Sequence, residues 1–304
     1  MDQAQLDVHL KEIEEDGFTV IENAIPPDLV KALKDRVREC EVASVGPLED
    51  LPTDDDDFSF MRTAGLLRLD PVFHQVPIHE EVLQLVEAVL GKNVLLSAFS
   101  AMDVQPGKVN IQPIHPDDAL IPVPRPHFKP IGCTAMWVLT DFNAHTGGTR
   151  ILPGSQRDSL DLVFSQDPEG MKDAIQPEIK TGSILVFDHA VLHGSANNYS
   201  DEWRLGLQVS YHAGWIRPFT NWFLSIPLEE AKTYPKKLQD LMGYKCYAGG
   251  IGSWNTGVRS YHESYARLRA PGDTRKSLDE SKGPDLRSKS SRPGAAARVQ
   301  RRTR

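Results

Sequence analysis

The stretch Gln112-Pro-Ile-His115-Pro-Asp117-Asp118-Ala-Leu-Ile-Pro122 joins one imidazole to two neighbouring carboxylates in a segment broken by three prolines. In an extended backbone residues i and i+2 share a face, so His115 and Asp117 can reach one metal ion while Pro116 and Asp118 point away. Proline removes a ladder hydrogen bond and is tolerated at sheet edges and rims, and a barrel mouth is such a rim. Downstream, GSILVFDHAVLHGSANNYSDEWRLGLQ offers His189 or His193 as a third ligand, followed by Arg204. Two neutral imidazoles and a carboxylate on one face, with the other positions open, form the donor set of non-heme Fe(II) oxygen chemistry. Zinc accepts similar donors but cannot supply electrons to O₂. An arginine near such a site presents a planar fork matched to a carboxylate. A plainer reading of the same residues stays open: either histidine could be a core residue bonded to a backbone carbonyl, and Arg204 a structural ion-pair partner.

The elements that must position these groups follow from hydrophobic spacing. Residues 6–15 and 27–39 read as helices, the second opened by Pro26-Pro27-Asp28 and striped by Leu29, Leu33 and Val37. Between them, 17–21 reads as a short strand, and 77–90 is a helix stopped by Gly91. The acidic stretch 47–57 is a loop, because it lacks the spaced ligands and the glycine of a calcium site. After Gly91 the pattern changes to short segments rich in β-branched and aromatic residues at 93–104, 109–115, 132–142, 148–152, 182–188 and 203–213. Strands in that number without intervening helices predict an antiparallel sandwich or barrel. Residues 227–242 return to a helical pattern, and 248–257 is loop. The expected organisation is one mainly β domain with flanking helices over 1–266 and a basic tail over 267–304.

Composition bounds the function. With 304 residues, 40% hydrophobic and 25% charged, the chain has ample material for a core. No apolar run approaches the ~20 residues of a membrane span. The acidic N-terminus lacks the order of a signal peptide, which places the protein in the cytoplasm. Three scattered cysteines, Cys40, Cys133 and Cys246, argue against a disulfide framework and are expected as buried thiols. Residues 267–304 hold 12 Lys or Arg against 4 Asp or Glu, leaving 22 against 38 for the rest. An acidic body is a poor nucleic-acid surface, and the polar tail has no apolar period, so it is expected to be disordered.

Taken together, Gln112-x-x-His115-x-Asp117, Gly147-Gly-Thr-Arg-Ile-Leu-Pro-Gly-Ser155 and His193-Gly-Ser followed by Arg204 resemble the phytanoyl-CoA dioxygenase family of Fe(II)/2-oxoglutarate-dependent oxygenases. The opening DGFTVIENAIPPDLVKAL is similar to the start of those proteins, and the likeness covers about residues 10–220. The resemblance implies a double-stranded β-helix, a cupin-like jelly roll, with His115, Asp117 and His193 as iron ligands at one mouth. It implies that Arg204 pairs with the distal carboxylate of 2-oxoglutarate, with Thr149 and Gln112 adding hydrogen bonds. His193 is preferred to His189 because it leaves a strand at a rim, whereas His189 sits nearer the apolar part. His127, His145 and His212 have no spaced partner and read as ordinary polar or supporting residues. Many relatives in the wider superfamily have a serine or threonine two residues after the arginine; here Gly206 stands there, and Thr149 is the alternative source of that hydroxyl.

The implied reaction consumes 2-oxoglutarate and O₂, releases succinate and CO₂, and oxidises a substrate C–H bond by hydroxylation, desaturation, epoxidation or rearrangement. Asp117 argues against a halogenase, since those relatives replace the carboxylate with a small residue. Phe60, Leu120, Phe128, Trp215 and Phe219 lie near the motifs and either line a pocket for a hydrophobic metabolite or belong to the core. Two alternatives accompany this reading: a non-catalytic jelly-roll metal-binding protein and an acyl-CoA hydroxylase. The expected partner is a small molecule, with no nucleic acid and no membrane span, and the assembly a monomer or homodimer.

Overall fold

A computed structural model of the chain describes residues 1–52, 60–107, 112–158, 173–247 and 251–252. Helix α1 (Gln3–Asp16) starts with a capping box at Asp2 and ends at Gly17, whose φ of 84° suits glycine. Helix α2 (Pro27–Val45) has Pro27 at its first position, where a missing N–H breaks no helical bond. It outruns the expected 27–39 because Glu41 continues the buried stripe of Val30, Leu33 and Val37. A single turn, α3 (Leu66–Leu69), precedes α4 (Glu80–Leu90), which begins three residues later than expected, at the cap supplied by His79.

Among the described residues eight strands form the core: β1 (Phe18–Ile21), β2 (Phe60–Ala64), β3 (Leu95–Val104), β4 (Gly132–Val138), β5 (Thr149–Leu152), β6 (Ile184–Asp188), β7 (Leu192–Ser195) and β8 (Arg204–His212). Six make an antiparallel sheet in the order β1-β6-β4-β8-β3-β2, and β5 pairs with β7 in a smaller one. Single bridges at His115–His193 and Ile151–Ile175 widen the smaller sheet. From β4 to β8 the chain alternates between the two sheets, which makes it a double-stranded β-helix. Met102, Met136, Val138, Leu185 and Phe187 of the larger sheet pack against Ile151 of β5, with Phe142, Ile179 and Val191 filling the same core. The outer side of the larger sheet is covered in part by α4 against β4, which is why β4, β6 and β8 are buried on both faces.

Several expectations need correction. The segment 109–115 is not a strand where it is described: 108–111 lie outside the described residues, and of the rest Ile114 and His115 make bridge contacts only. The strand expected over 132–142 stops at Val138, and the helical pattern over 227–242 breaks into Leu228–Ala231, Lys236–Gln239 and a last turn, because Pro227 and Pro235 each restart the backbone. Cys133 is buried as expected, but Cys40 and Cys246 are half-buried; Cys40 lies off the buried stripe of α2. Residues 53–57 of the acidic loop, most of the 248–257 loop and the basic tail lie outside the described residues.

Met1–Met242 forms one compact unit and Gly243–Arg304 a second. In the second, Tyr247 and Ile251 exchange backbone hydrogen bonds of 2.9 and 3.1 Å. Among the described residues no helix is long and apolar enough to cross a membrane.

Candidate active site

His193 sits on β7, and its backbone exchanges both hydrogen bonds with His115, at 3.0 and 3.1 Å. This one bridge fastens the proline-broken segment to the smaller sheet and brings the two rings to a centroid separation of 4.6 Å. Asp117 reaches the pair by a turn rather than by strand alternation: Pro116 opens it, and the Ala119 N–H bonds back to the Pro116 carbonyl at 3.4 Å. Asp117 Oδ1 then lies 3.8 Å from His115 Nε2 and 3.7 Å from His193 Nε2. These gaps are too wide for hydrogen bonds, yet one ligand atom from each residue lies within 4.8 Å of the others, close enough to share an ion.

Each imidazole is turned to that point by its other nitrogen. His115 Nδ1 lies 2.8 Å from the Pro113 carbonyl and His193 Nδ1 3.1 Å from the Val191 carbonyl. A carbonyl only accepts, so both Nδ1 atoms carry the proton and both Nε2 lone pairs face Asp117. Burial lowers the pKa of His193, which favours the neutral form a metal needs. Burial alone would raise Asp117, but His193, His189, His115 and the Thr134 hydroxyl outweigh it and hold the carboxylate below its usual range. Two neutral nitrogens and one anionic oxygen, with no thiolate, suit Fe(II).

Asp118, one residue on, points elsewhere. It is 3% exposed and takes a 2.5 Å hydrogen bond from His127 Nε2, with Arg125 Nε at 3.6 Å. His189 is fully buried behind Asp117, with Nε2 at 3.1 Å from the Thr134 hydroxyl and 3.0 Å from that of Ser210. Thr134 Oγ donates to Asp117 Oδ2 at 2.8 Å. Burial pushes the pKa of His189 down to about 4, so it supports the site as a neutral ring.

Arg204 opens β8 and is 2% exposed. Its Nη2 donates to Ser195 Oγ at 3.1 Å, its guanidinium lies 4.5 Å over the Phe142 ring, and its Nε has no acceptor among the described residues. Burial lowers its pKa to about 10, partly offset by Asp103. A buried cation with spare donors fits an anionic ligand. Gln112 Oε1 accepts the Ser195 N–H at 3.1 Å, and Thr149 pairs with Ser195 across the smaller sheet. The two glycines before Thr149 have separate reasons: Gly147 has φ 74°, and a Cβ on Gly148 would lie 2.7 Å from the Asn143 nitrogen. A narrow cavity runs between the ends of this site, bounded by Gln112, His115, Thr149, His193, Ser195 and Arg204.

A larger cavity of about 620 Å³ opens over His115 and Asp117. Phe60, Leu120 and Phe219 line it, together with Phe99, Met102 and Arg62. Phe128 and Trp215 are not among its lining residues; they are exposed, and none of the five expected substrate contacts is buried core.

Residues 13–206 match the family model described as phytanoyl-CoA dioxygenase (PhyH). The chain belongs to the phytanoyl-CoA dioxygenase family. It is 28% identical over 246 residues to dioxygenase af480 of Aspergillus fumigatus, covering 80% of this chain and 76% of that protein. It is 29% identical over 251 residues to dioxygenase FrzG of Cladobotryum sp., covering 76% and 82%. Among solved structures, the non-heme alpha-ketoglutarate-dependent epimerase SnoN from nogalamycin biosynthesis shares the fold, with a TM-score of 0.57 at 17% identity over 73% of this chain and 89% of that one. The chain is thus an iron- and 2-oxoglutarate-dependent dioxygenase on a jelly-roll core.

Sequence reasoning missed four residues of this dioxygenase site. Thr134 and Phe142 each touch a motif residue from a different strand or loop, and no local spacing announces them; Ser195 stood inside the quoted His193-Gly-Ser motif but was given no role. Arg62 lies on β2 and donates to Ser100 Oγ at 3.1 Å and to Gln208 Oε1. Its alternation with Phe60 and Ala64 on the cavity side was the available signal, but the preceding residues gave no strand pattern.

Proposed function

We propose that His115, Asp117 and His193 hold Fe(II), that Arg204 takes the distal carboxylate of 2-oxoglutarate with Thr149, Gln112 and Ser195 beside it, and that the larger cavity admits a hydrophobic small-molecule metabolite for C–H oxidation in a biosynthetic pathway. The observation that carries this reading is the narrow cavity bounded at once by the two histidines and by the buried, under-partnered Arg204. Bound iron supplies reduction of O₂ coupled to decarboxylation of 2-oxoglutarate, with release of succinate and CO₂.

The chain's own groups do the positioning. Pro113 and Val191 carbonyls fix the histidine tautomers, and Thr134 fixes one carboxylate oxygen of Asp117. Phe187 packs against His193 at 4.5 Å and Phe142 under Arg204, so the co-substrate end is walled by apolar rings that exclude water and strengthen the charged contact. Leu120, 79% exposed, and Phe219, 47% exposed, leave apolar surface at the cavity mouth that a hydrophobic substrate would cover. Arg62 adds a cation to the polar part of that cavity's wall, beside Ser100 and Gln208, and can orient an oxygen of the ligand. Similarity to dioxygenases af480 and FrzG supports dioxygenase activity.

The test is succinate release. Protein loaded anaerobically with Fe(II) and 2-oxoglutarate is opened to O₂ in the presence of fractionated hydrophobic metabolites. Substrate-dependent succinate with a product heavier by one oxygen or lighter by two hydrogens supports the reading. Iron binding without succinate from any pool would return the chain to a metal-binding role.

A further inference from the structure

Where many relatives place a hydroxyl residue, Gly206 has no room for one. A Cβ built there would lie 2.9 Å from Phe142 Cζ, 3.0 Å from Met136 Sδ and 3.1 Å from the Trp137 carbonyl oxygen. Gly206 lies inside β8 beside Met102 and Val138, so its backbone does not require glycine; the neighbouring ring does. That ring is the one beneath the Arg204 guanidinium, at 4.5 Å, and it is fully buried in the core between the sheets. Beyond this face, Arg204 has one protein hydrogen bond among the described residues, to Ser195. The ring is therefore, with Ser195, one of two protein groups in contact with the guanidinium among the described residues.

We propose that Phe142 is a positioning residue for Arg204, holding the guanidinium plane toward the 2-oxoglutarate cavity, and that Gly206 is the space that admits its ring. Stacking fixes a planar cation without using any of its donors, which leaves the Nε and the remaining Nη hydrogens for the ligand. This inference rests on the assignment of Arg204 to 2-oxoglutarate.

The test measures 2-oxoglutarate binding by calorimetry on full-length protein loaded with Mn(II), so that no turnover is needed, together with Mn(II) affinity and melting temperature. Phe142→Leu should weaken 2-oxoglutarate roughly five- to twenty-fold while Mn(II) affinity stays within about two-fold. Gly206→Ser should do the same by displacing the ring. The double variant Gly206→Ser with Phe142→Leu loses the 2.9 Å ring contact but keeps those to Met136 Sδ and the Trp137 carbonyl, so its loss of 2-oxoglutarate affinity should be smaller than the sum of the two single losses. Under steady-state turnover the loss should fall on KM for 2-oxoglutarate and spare kcat at saturation. Unchanged 2-oxoglutarate affinity in folded Phe142→Leu, parallel loss of metal and co-substrate, or strictly additive losses in the double variant would each overturn the role of Phe142. Arg204→Ala separates the layers: if it leaves 2-oxoglutarate affinity intact, the underlying assignment fails, whereas its failure to bind beside a normal Phe142→Leu defeats only the inference.

Discussion

At the triad end of the cavity the groups that orient side chains have partners of their own. The Nδ1 atoms of His115 and His193 bond to carbonyls, Asp117 Oδ2 takes the Thr134 hydroxyl, and Asp118 Oδ2 takes His127 Nε2 with Arg125 Nε at 3.6 Å; Asp118 Oδ1, Arg125 Nε and His189 Nδ1 have no hydrogen-bond partner among the described residues. At the arginine end the opposite holds: Arg204 is as deeply buried, yet meets a serine, an aromatic face and no carboxylate within ion-pair distance among the described residues. Buried polar groups ordinarily find partners within the protein, because leaving one unpaired costs about 1–3 kcal/mol. The two ligand imidazoles and Asp117 are oriented by the chain itself, whereas the Arg204 guanidinium meets no anion of the chain within ion-pair distance among the described residues. Adjacent Asp117 and Asp118 repeat the lesson at shorter range, one facing three imidazoles and the other paired to Arg125 and His127.

The sharpest way to break this contrast is at the two aspartates. Asp117→Ala should abolish succinate formation and strongly weaken Fe(II) binding in a folded protein, since it removes the anionic ligand from a dication. Asp118→Ala should cost roughly 3–5 kcal/mol of stability, because Arg125 and His127 lose the carboxylate they share in a buried site. Its measure is the denaturation midpoint, and metal affinity at low temperature should fall much less than in Asp117→Ala. The reverse pattern would show that the ligand register is wrong.

At the other end, Arg204→Ala should weaken 2-oxoglutarate by roughly 2–5 kcal/mol while Fe(II) still binds. It should not destabilise the fold as Asp118→Ala does, because no protein carboxylate is orphaned. Thermal melts of the two variants side by side test that difference.

The smallest effect concerns a supporting cluster behind Arg204. Glu41, 3% exposed, bonds to Arg38 and Thr63, and Arg38 also bonds to buried Asp103 on β3. Burial and the Asp103 charge, opposed by Arg38 and Thr63, push the Glu41 pKa up from 4.5 to about 7. Between those values the folded chain holds more proton than the unfolded one, so this group's contribution to stability falls as pH rises. The melting temperature of wild type relative to Glu41→Gln should therefore drop by about 2–4 °C between pH 5 and pH 8. A constant difference would remove Glu41 from that role.

By itself the sequence determined the class of fold and offered the candidate groups of the site. Short β-rich segments after Gly91 gave an antiparallel sandwich or barrel, the family resemblance narrowed this to a jelly roll, and residue types alone supplied a His-x-Asp pair, downstream histidines and a distant arginine, because strand period and ligand type are local properties written residue by residue. It also anticipated that Asp117 rather than Asp118 joins His115, though for the wrong reason: a turn, not strand alternation, does this, since the proline-broken backbone makes one bridge and then folds back. Only the tertiary structure decided that His189 stands behind Asp117 against Thr134 and Ser210, that Phe128 and Trp215 stand apart from the cavity, and that Phe142 and Gly206 frame Arg204. Those are contacts between residues tens of positions apart, fixed by which strands pair and how two sheets close on one core. No local spacing encodes them, because they arise when the packing of one element removes the space available to another.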